Sequence, residues 1–327
     1  MKKSVCLILL FFIAASLCRA QGKTEQDELN RLYNLFSVTY KDSLTRSFSA
    51  AEKAIPLARR LGNKFIEARA SLVIGKHSTK GHNIARGEEY IKRALEIARE
   101  IKNENIEAEA LMRLGYTFYF MQNKTDEGLK LTLRAYELAS SLNDTILLKD
   151  VTTQLVDNYH MMNDPVNAIR YSKIALTHNR NDLQNRARIC SMLGVIYNDA
   201  GNPEEAIKYL EEGIKLALRI KDDFRTAALY NNMAAIFSSL VKHDAAIGYH
   251  KKALELFTRL NDPFGIGYSH NLLGSSLSSI GKREDAIIHF TEAVKIFRKI
   301  GNRQSLSFAL CNLSNEYLIT GRINDAG

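Results

Sequence analysis

The sequence repeats itself about every 40 residues, and this repetition constrains the fold more than any other feature. A small residue recurs near the middle of each copy, with steps of 40, 41, 38, 40, 40 and 40 residues. This column comprises Gly75, Gly115, Val156, Gly194, Ala234, Gly274 and Ser314. A second column comprises Ala94, Ala135, Ala175, Gly213, Ala253 and Ala293. A fixed period of this length predicts a stack of similar helical units rather than one globular core.

Each unit is predicted to be a pair of antiparallel helices, as the copy at residues 182–222 shows. Both halves of this copy carry apolar residues three and four positions apart, which is typical of amphipathic helices. Between them, Gly201 suits a left-handed helix end, Asn202 is predicted to cap the second helix, and Pro203 fits its first turn. Lys221-Asp222 closes the copy. Equivalent closing pairs are Lys102-Asn103, Asn143-Asp144, Asn181-Asp182, Asn261-Asp262 and Gly301-Asn302.

The copies resemble the tetratricopeptide repeat family. The residues that carry the resemblance in one copy are Leu193-Gly194-x-x-Tyr197, followed by Ala206, Leu210 and Gly213. Similar patterns are Leu114-Gly115-x-x-Phe118, Leu155-Val156-x-x-Tyr159, Met233-Ala234-x-x-Phe237 and Leu273-Gly274-x-x-Leu277. The period exceeds the family's usual value of about 34 residues, and it is similar to that of MalT-like sensor regions and of peptide-sensing bacterial regulators. The resemblance implies an all-α fold, a right-handed superhelical solenoid of antiparallel helix pairs.

The two ends of the chain lead to predictions about export and domain organisation. Lys2 and Lys3 precede an apolar stretch that ends near Ala20, so residues 1–20 are predicted to be a cleaved signal peptide. An uncleaved membrane-anchoring N-terminus and lipidation at Cys18 are the alternatives. Residues 21–63 are expected to form a divergent capping repeat, and residues 64–327 an array of about six full repeats and a truncated last one. The mature chain is expected to be periplasmic or secreted, without a membrane span, although a missing C-terminal region could tether it.

Composition and charge favour binding over catalysis. The net charge is +9, but three of the basic residues lie in the first 20 and the others alternate with acids, so nucleic acid is not an expected partner. Cys190 and Cys311 lie three repeats apart and are expected to be buried free thiols. The histidines lack metal-ligand spacing, and no phosphate loop or nucleophile turn is present. We therefore expect no metal, no cofactor and no enzymatic activity.

The resemblance implies a concave groove lined by the first helix of each pair. A row of asparagine amides could bind the backbone of an extended peptide, because an amide both donates and accepts hydrogen bonds. Solvated or inter-helix asparagines are the alternative, and core packing is the alternative for the aromatic stretch near Tyr116. The predicted peptide-binding residues are Asn231, Asn271, Asn312, Arg188, Asn198, Tyr268, Tyr116 and Tyr119.

Together these features predict an exported, non-catalytic module that binds a protein or peptide. By analogy with the family, it would be the sensor or scaffold region of a bacterial signalling protein whose C-terminal part is absent. A free-standing periplasmic scaffold and an enzyme with an unrecognised site are the alternatives. The sequence makes no prediction of the ligand's identity or of the oligomeric state.

Overall fold

The computed structural model describes residues 22–37, 44–81 and 83–322, and the regular secondary structure in these ranges is entirely helical. Helix α1 spans residues 22–37. The other helices are α2 (Leu44–Arg60), α3 (Lys64–Lys80), α4 (Ile84–Glu100), α5 (Glu104–Tyr116), α6 (Thr125–Ser141), α7 (Thr145–Met161), α8 (Pro165–His178), α9 (Leu183–Asp199), α10 (Pro203–Arg219), α11 (Asp223–Ser239), α12 (His243–Arg259), α13 (Pro263–Ser279), α14 (Arg283–Lys299) and α15 (Arg303–Ile319). A π-helix, Thr117–Met121, continues α5. The all-α prediction is confirmed, whereas the predicted signal peptide lies outside the described residues.

The chain divides into two compact units, Met1–Asn158 and Tyr159–Gly327, with the boundary inside α7. In unit 1, consecutive helices contribute to shared apolar clusters; one joins Phe36 of α1, Ala54 of α2 and Ile74 of α3. In unit 2, Leu273, Phe290 and Ala309 similarly join α13, α14 and α15. Each unit therefore buries its apolar faces between helices that are adjacent in sequence, as expected for a repeat protein. The predicted boundaries at residues 20 and 63 remain predictions.

The closing pairs form the turns between repeats. Lys102 has φ 53° and Lys221 has φ 56°, so each lies in the left-handed region that ends a helix. The residue that follows caps the next helix: Asn103 accepts a hydrogen bond from the Ile106 amide, and Asp222 accepts one from the Arg225 amide. The turn predicted at Gly201 is also left-handed, with φ 75°. Asn202 occupies the predicted cap position, but its side chain donates to the Ala200 carbonyl instead of capping α10.

The columns of small residues lie where paired helices cross. A Cβ atom added at Gly115 would lie 2.8 Å from the Gly128 carbonyl oxygen, so α5 and α6 are in backbone contact there. At Gly194 the added atom would instead meet the Leu210 side chain at 2.4 Å. The columns therefore set how closely the helices of a pair pack.

The two cysteines of the described residues are both free, as predicted, but only Cys190 is buried. Cys311 is exposed, so the prediction of two buried thiols is wrong for it. Cys311 lies on α15, which packs against α13 and α14.

Candidate functional site in unit 1

A chain of ion pairs crosses the first helices of unit 1. Arg69 of α3 and Glu109 of α5 occupy equivalent places in consecutive copies, and Arg69 Nη1 lies 2.7 Å from Glu109 Oε2. Arg113, one turn further along α5, donates through Nε to the same carboxylate at 3.0 Å. The Glu109 side chain is largely buried, and burial alone would raise its pKa, but Arg113 and Arg69 outweigh this effect and lower the pKa to about 2. Glu109 is therefore an anion fixed between two cations.

Two further charged groups lie next to this triad and have shifted pKa values. Lys76 of α3 is half-buried, and desolvation together with the nearby charges of Arg113 and Lys80 lowers its pKa to about 8. The carboxyl group of Asp150 on α7 reaches solvent, but the protein atoms around it desolvate it and raise its pKa, against the attraction of Arg113 and Lys76. Since Lys76 is also half-buried, its shift indicates that its charge lies in a poorly solvated place.

Lys76 and Arg113 also line a cleft of about 280 Å³ among α3, α5, the π-helix and α7. Met112, Tyr116 and Met121 supply apolar walls. The polar lining comprises Lys76, Thr79, Lys80, Arg113 and Gln154. Apolar walls with a few convergent polar groups are typical of ligand sites. We name this the α3–α5–α7 cleft.

The π-helix shapes one end of the cleft. Just after the π-helix, the backbone amide of Lys124 donates to the Phe118 carbonyl at 2.9 Å. The Lys124 ammonium lies 4.8 Å from the centre of the Phe118 ring. The wider turn carries Met121 into the cleft lining and Tyr119 into the interior. π-Helical turns are rare and recur at functional sites, and nothing in the amino-acid pattern predicted this one.

A ladder of amide side chains joins consecutive first helices. Gln154 donates to the Met112 carbonyl at 3.1 Å, and Asn232 donates to Ser191 Oγ at 3.1 Å. Asn312 donates to Asn271 Oδ1 at 3.0 Å. In all three bonds the donor lies two residues before the small residue of its copy, and the acceptor lies three residues before that of the preceding copy. The one-residue offset of Asn312 from Asn231 and Asn271 is the offset that this bond requires.

The predicted asparagines differ in what remains available to a ligand. Asn231 is buried, donates to Ser269 Oγ at 3.2 Å, and pairs through Oδ1 with His250 Nδ1 at 3.0 Å. Asn271 and Asn312 are half-buried and bonded to each other. Asn198 is half-buried on α9. Asn231, Asn271 and Asn312 thus act as contacts between helices, and the predicted role of all four asparagines in peptide binding stays a prediction.

The other predicted site residues lie in separate places. Tyr116 is 43% exposed and lines the α3–α5–α7 cleft. Tyr119 is buried, and its hydroxyl donates to the Asn158 carbonyl at 2.6 Å. Tyr268 is exposed and stacks on Phe264, whereas Arg188 is half-buried and lies against Met192. Sequence reasoning missed Lys76, Arg113 and Gln154, although the charged residues at one equivalent position of successive copies nearby, Arg69, Glu109 and Asp150, were a visible signal.

Two features of metalloenzymes and membrane proteins are absent from the part of the chain that the structure describes. It contains no cluster of three or more histidine, cysteine or acidic side chains suited to a metal ion. Within the same ranges, no helix combines the length and apolar character that crossing a bilayer requires.

Fold and cleft together define a helical repeat protein with a ligand-sized cleft on its first helices. The model of the tetratricopeptide repeat family matches residues 185–259, so this part of the chain consists of tetratricopeptide repeats. No curated protein sequence matches it.

Several solved structures share the fold. A STAND signal transduction ATPase with a tetratricopeptide repeat sensor, from Pyrococcus horikoshii, aligns with a TM-score of 0.69 and 16% identity, over 91% of this chain and 50% of that protein. The apo form of RapI aligns with a TM-score of 0.63 and 14% identity, over 84% and 99% of the two chains. The apo quorum sensor NprR from B. thuringiensis aligns with a TM-score of 0.61 and 15% identity, over 93% and 96%. The chain thus spans half the length of the Pyrococcus protein.

Proposed function

We propose that this chain is an exported, non-catalytic module that binds a peptide or a peptide segment of a protein in the α3–α5–α7 cleft. The observation that carries the proposal is the cleft itself, in which cationic side chains surround apolar walls. The resemblance to a sensor region and to a quorum sensor supports a sensing role within a larger bacterial signalling protein. Export rests on the apolar N-terminal sequence alone.

The charges of the cleft indicate which peptides it selects. The charged residues that line the cleft, Lys76, Lys80 and Arg113, are all cationic. The charge excess stays positive when the neighbouring Arg69, Glu109 and Asp150 are included. Since Glu109 is already held by two arginines, an incoming carboxylate would approach the lysine side of the cleft. A peptide with an acidic group beside an apolar side chain satisfies both kinds of lining.

Affinity selection from a random hexapeptide library tests this proposal. The wild-type protein is expected to enrich peptides that combine aspartate or glutamate with a large apolar residue. A charge-assisted hydrogen bond contributes about 1.5–3 kcal/mol, so Lys76→Met with Lys80→Met should weaken an enriched peptide by at least about tenfold. Lys130→Met, which removes an exposed lysine of α6 away from the cleft, is the control for loss of surface charge.

Two results would count against the proposal. One is recovery of peptides without acidic enrichment, or of no peptides at all. The other is the same affinity in the Lys76→Met, Lys80→Met variant as in the control, once circular dichroism has shown that both are folded.

A further inference from the structure

Unit 2 has a groove of about 710 Å³ on its second helices, between α10 and α12, with α11 beneath. Its apolar lining consists of Ile214 and Leu218 from α10, Tyr230 from α11 and Tyr249 from α12. Leu218 is 52% exposed, whereas the other large apolar residues of the copy at residues 182–222 are buried or half-buried. Exposed apolar surface of this kind, edged by polar groups, marks interaction sites.

The edge of this groove is cationic. Lys215 and Arg219 of α10 and Lys252 of α12 border it, and Glu211 is its only acidic residue. Among the described residues, neither Lys215 nor Arg219 makes an ion pair. The Lys252 ammonium lies 5.1 Å from the centre of the Tyr249 ring and 5.7 Å from that of Tyr230. Lys252 therefore orders the two rings while keeping its charge at the surface.

The next copy shows that the repeat fold does not require this surface. Forty residues on, Tyr230 and Tyr249 are replaced by His270 and His289, whose Nδ1 atoms lie 2.8 Å apart. Lys252 is replaced by Glu292. Lys215 is replaced by Glu255, and Leu218 by Thr258, so that the equivalent surface is polar and its charges balance. Of these two equivalent surfaces, only the one between α10 and α12 combines the two tyrosines, an exposed leucine and an excess of positive charge.

We propose that the α10–α12 groove binds an acidic amphipathic helix of a partner protein. Consecutive second helices of antiparallel pairs run in the same direction, and α10 and α12 each have 17 residues, or about 25 Å of length. A groove between two such helices accommodates a helix that places apolar side chains at i, i+3, i+4 and i+7. Glutamates on its flanks would meet Lys215, Arg219 and Lys252, so charge complementarity selects an acidic partner.

A synthetic helical peptide of roughly fourteen residues, about four turns, is the probe. It carries leucine and phenylalanine at helical spacing and glutamate elsewhere. Fluorescence anisotropy is expected to show saturable binding that weakens as salt rises. Versions with lysine in place of glutamate, or with the apolar residues moved out of helical spacing, should bind at least about tenfold more weakly.

Protein variants locate the site. Lys215→Glu combined with Arg219→Glu and Lys252→Glu should abolish binding, as should Leu218→Asp alone, and both sets alter exposed side chains. Lys251→Glu combined with Lys295→Glu and Lys299→Glu is the matched control, since it makes the same change in charge elsewhere on α12 and α14.

The proposal is overturned if the acidic peptide fails to bind at about 100 μM, the range of weak transient contacts. It is equally overturned if the groove variants bind as the control does, or if the protein binds phosphatidylserine vesicles through these three cations but not the peptide. Because the groove lies in unit 2, loss of cleft binding in unit 1 leaves this outcome unaffected.

Discussion

The contact between α5 and α6 at Gly115 leads to a quantitative prediction about a single methyl group. A Cβ atom there would lie 2.5 Å from Thr132 Oγ1 and 2.8 Å from the Gly128 carbonyl oxygen. The hydroxyl could rotate away, but the carbonyl belongs to the backbone of the partner helix. Gly115→Ala therefore requires the two helices to separate, which disrupts the packing along the whole pair.

The magnitude follows from two opposing effects. Alanine in place of glycine within a helix stabilises by about 1 kcal/mol, whereas overpacking costs typically about 1–3 kcal/mol and occasionally more. Gly248 of α12 isolates the first effect, because a Cβ atom there has no neighbour within 4 Å. We expect Gly248→Ala to stabilise by about 0.5–1 kcal/mol. Gly115→Ala should destabilise by up to about 2 kcal/mol, which is the overpacking cost less the gain of about 1 kcal/mol from alanine.

Urea unfolding followed by circular dichroism measures both variants. With a slope near 2 kcal/mol per molar, a loss of about 2 kcal/mol moves the midpoint down by about 1 M. Gly194→Ala should lie between the two, because the group it meets is the flexible Leu210 side chain. If Gly115→Ala instead raises the midpoint as Gly248→Ala does, the backbones of α5 and α6 are further apart than the structure shows.

Three other variants test buried polar groups. Burial lowers the pKa of His250 to about 4 from an ordinary value of 6.5. Because the unfolded chain then binds this proton at a higher pH than the folded protein does, stability falls as the pH drops from about 6.5 to 4. The urea midpoint of His250→Gln should not fall over this range. The pKa of Glu109 is held near 2 against an ordinary 4.5, so its stabilisation is full above about pH 4.5 and is lost towards pH 2; Glu109→Gln should lower the midpoint at pH 7 and remove that acid dependence. Tyr119→Phe leaves the Asn158 carbonyl without its hydroxyl donor and should cost about 1 kcal/mol, and an unchanged midpoint would show that water replaces the bond.

The sequence predicted those parts of the fold that depend on neighbours within one copy. Left-handed turn residues, capping residues and small residues at the crossings each act through contacts inside a single helix pair or turn. The shorter spacing of 38 residues between Val156 and Gly194 also has a local cause, because α8, which lies between them, has 14 residues whereas most helices have 17. Its end is marked by Asn179, whose buried side chain donates to the Ala175 carbonyl.

Contacts between copies were beyond the reach of the pattern. The amide ladder joins residues 41 or 42 positions apart, and sequence spacing alone does not show which way an amide points. The same holds for Asn231, whose two bonds require both His250 and Ser269 at the correct distance. The asparagine row was visible in the sequence, but its use as a contact between helices needed the three-dimensional arrangement.

One position of the repeat shows how ligand sites can differ on a constant scaffold. This position lies six residues before the recurring small residue of each copy. The copies of unit 1 have Arg69, Glu109 and Asp150 there, whereas the last two copies of unit 2 have Tyr268 and Phe308. Arg69 and Glu109 form an ion pair between α3 and α5, the first helices of consecutive copies. The two aromatic residues are exposed. Because the fold accepts either type of side chain here, packing does not explain the choice. Differences between copies at such positions, rather than the features that the copies share, are therefore the strongest guide to candidate ligand sites on this protein.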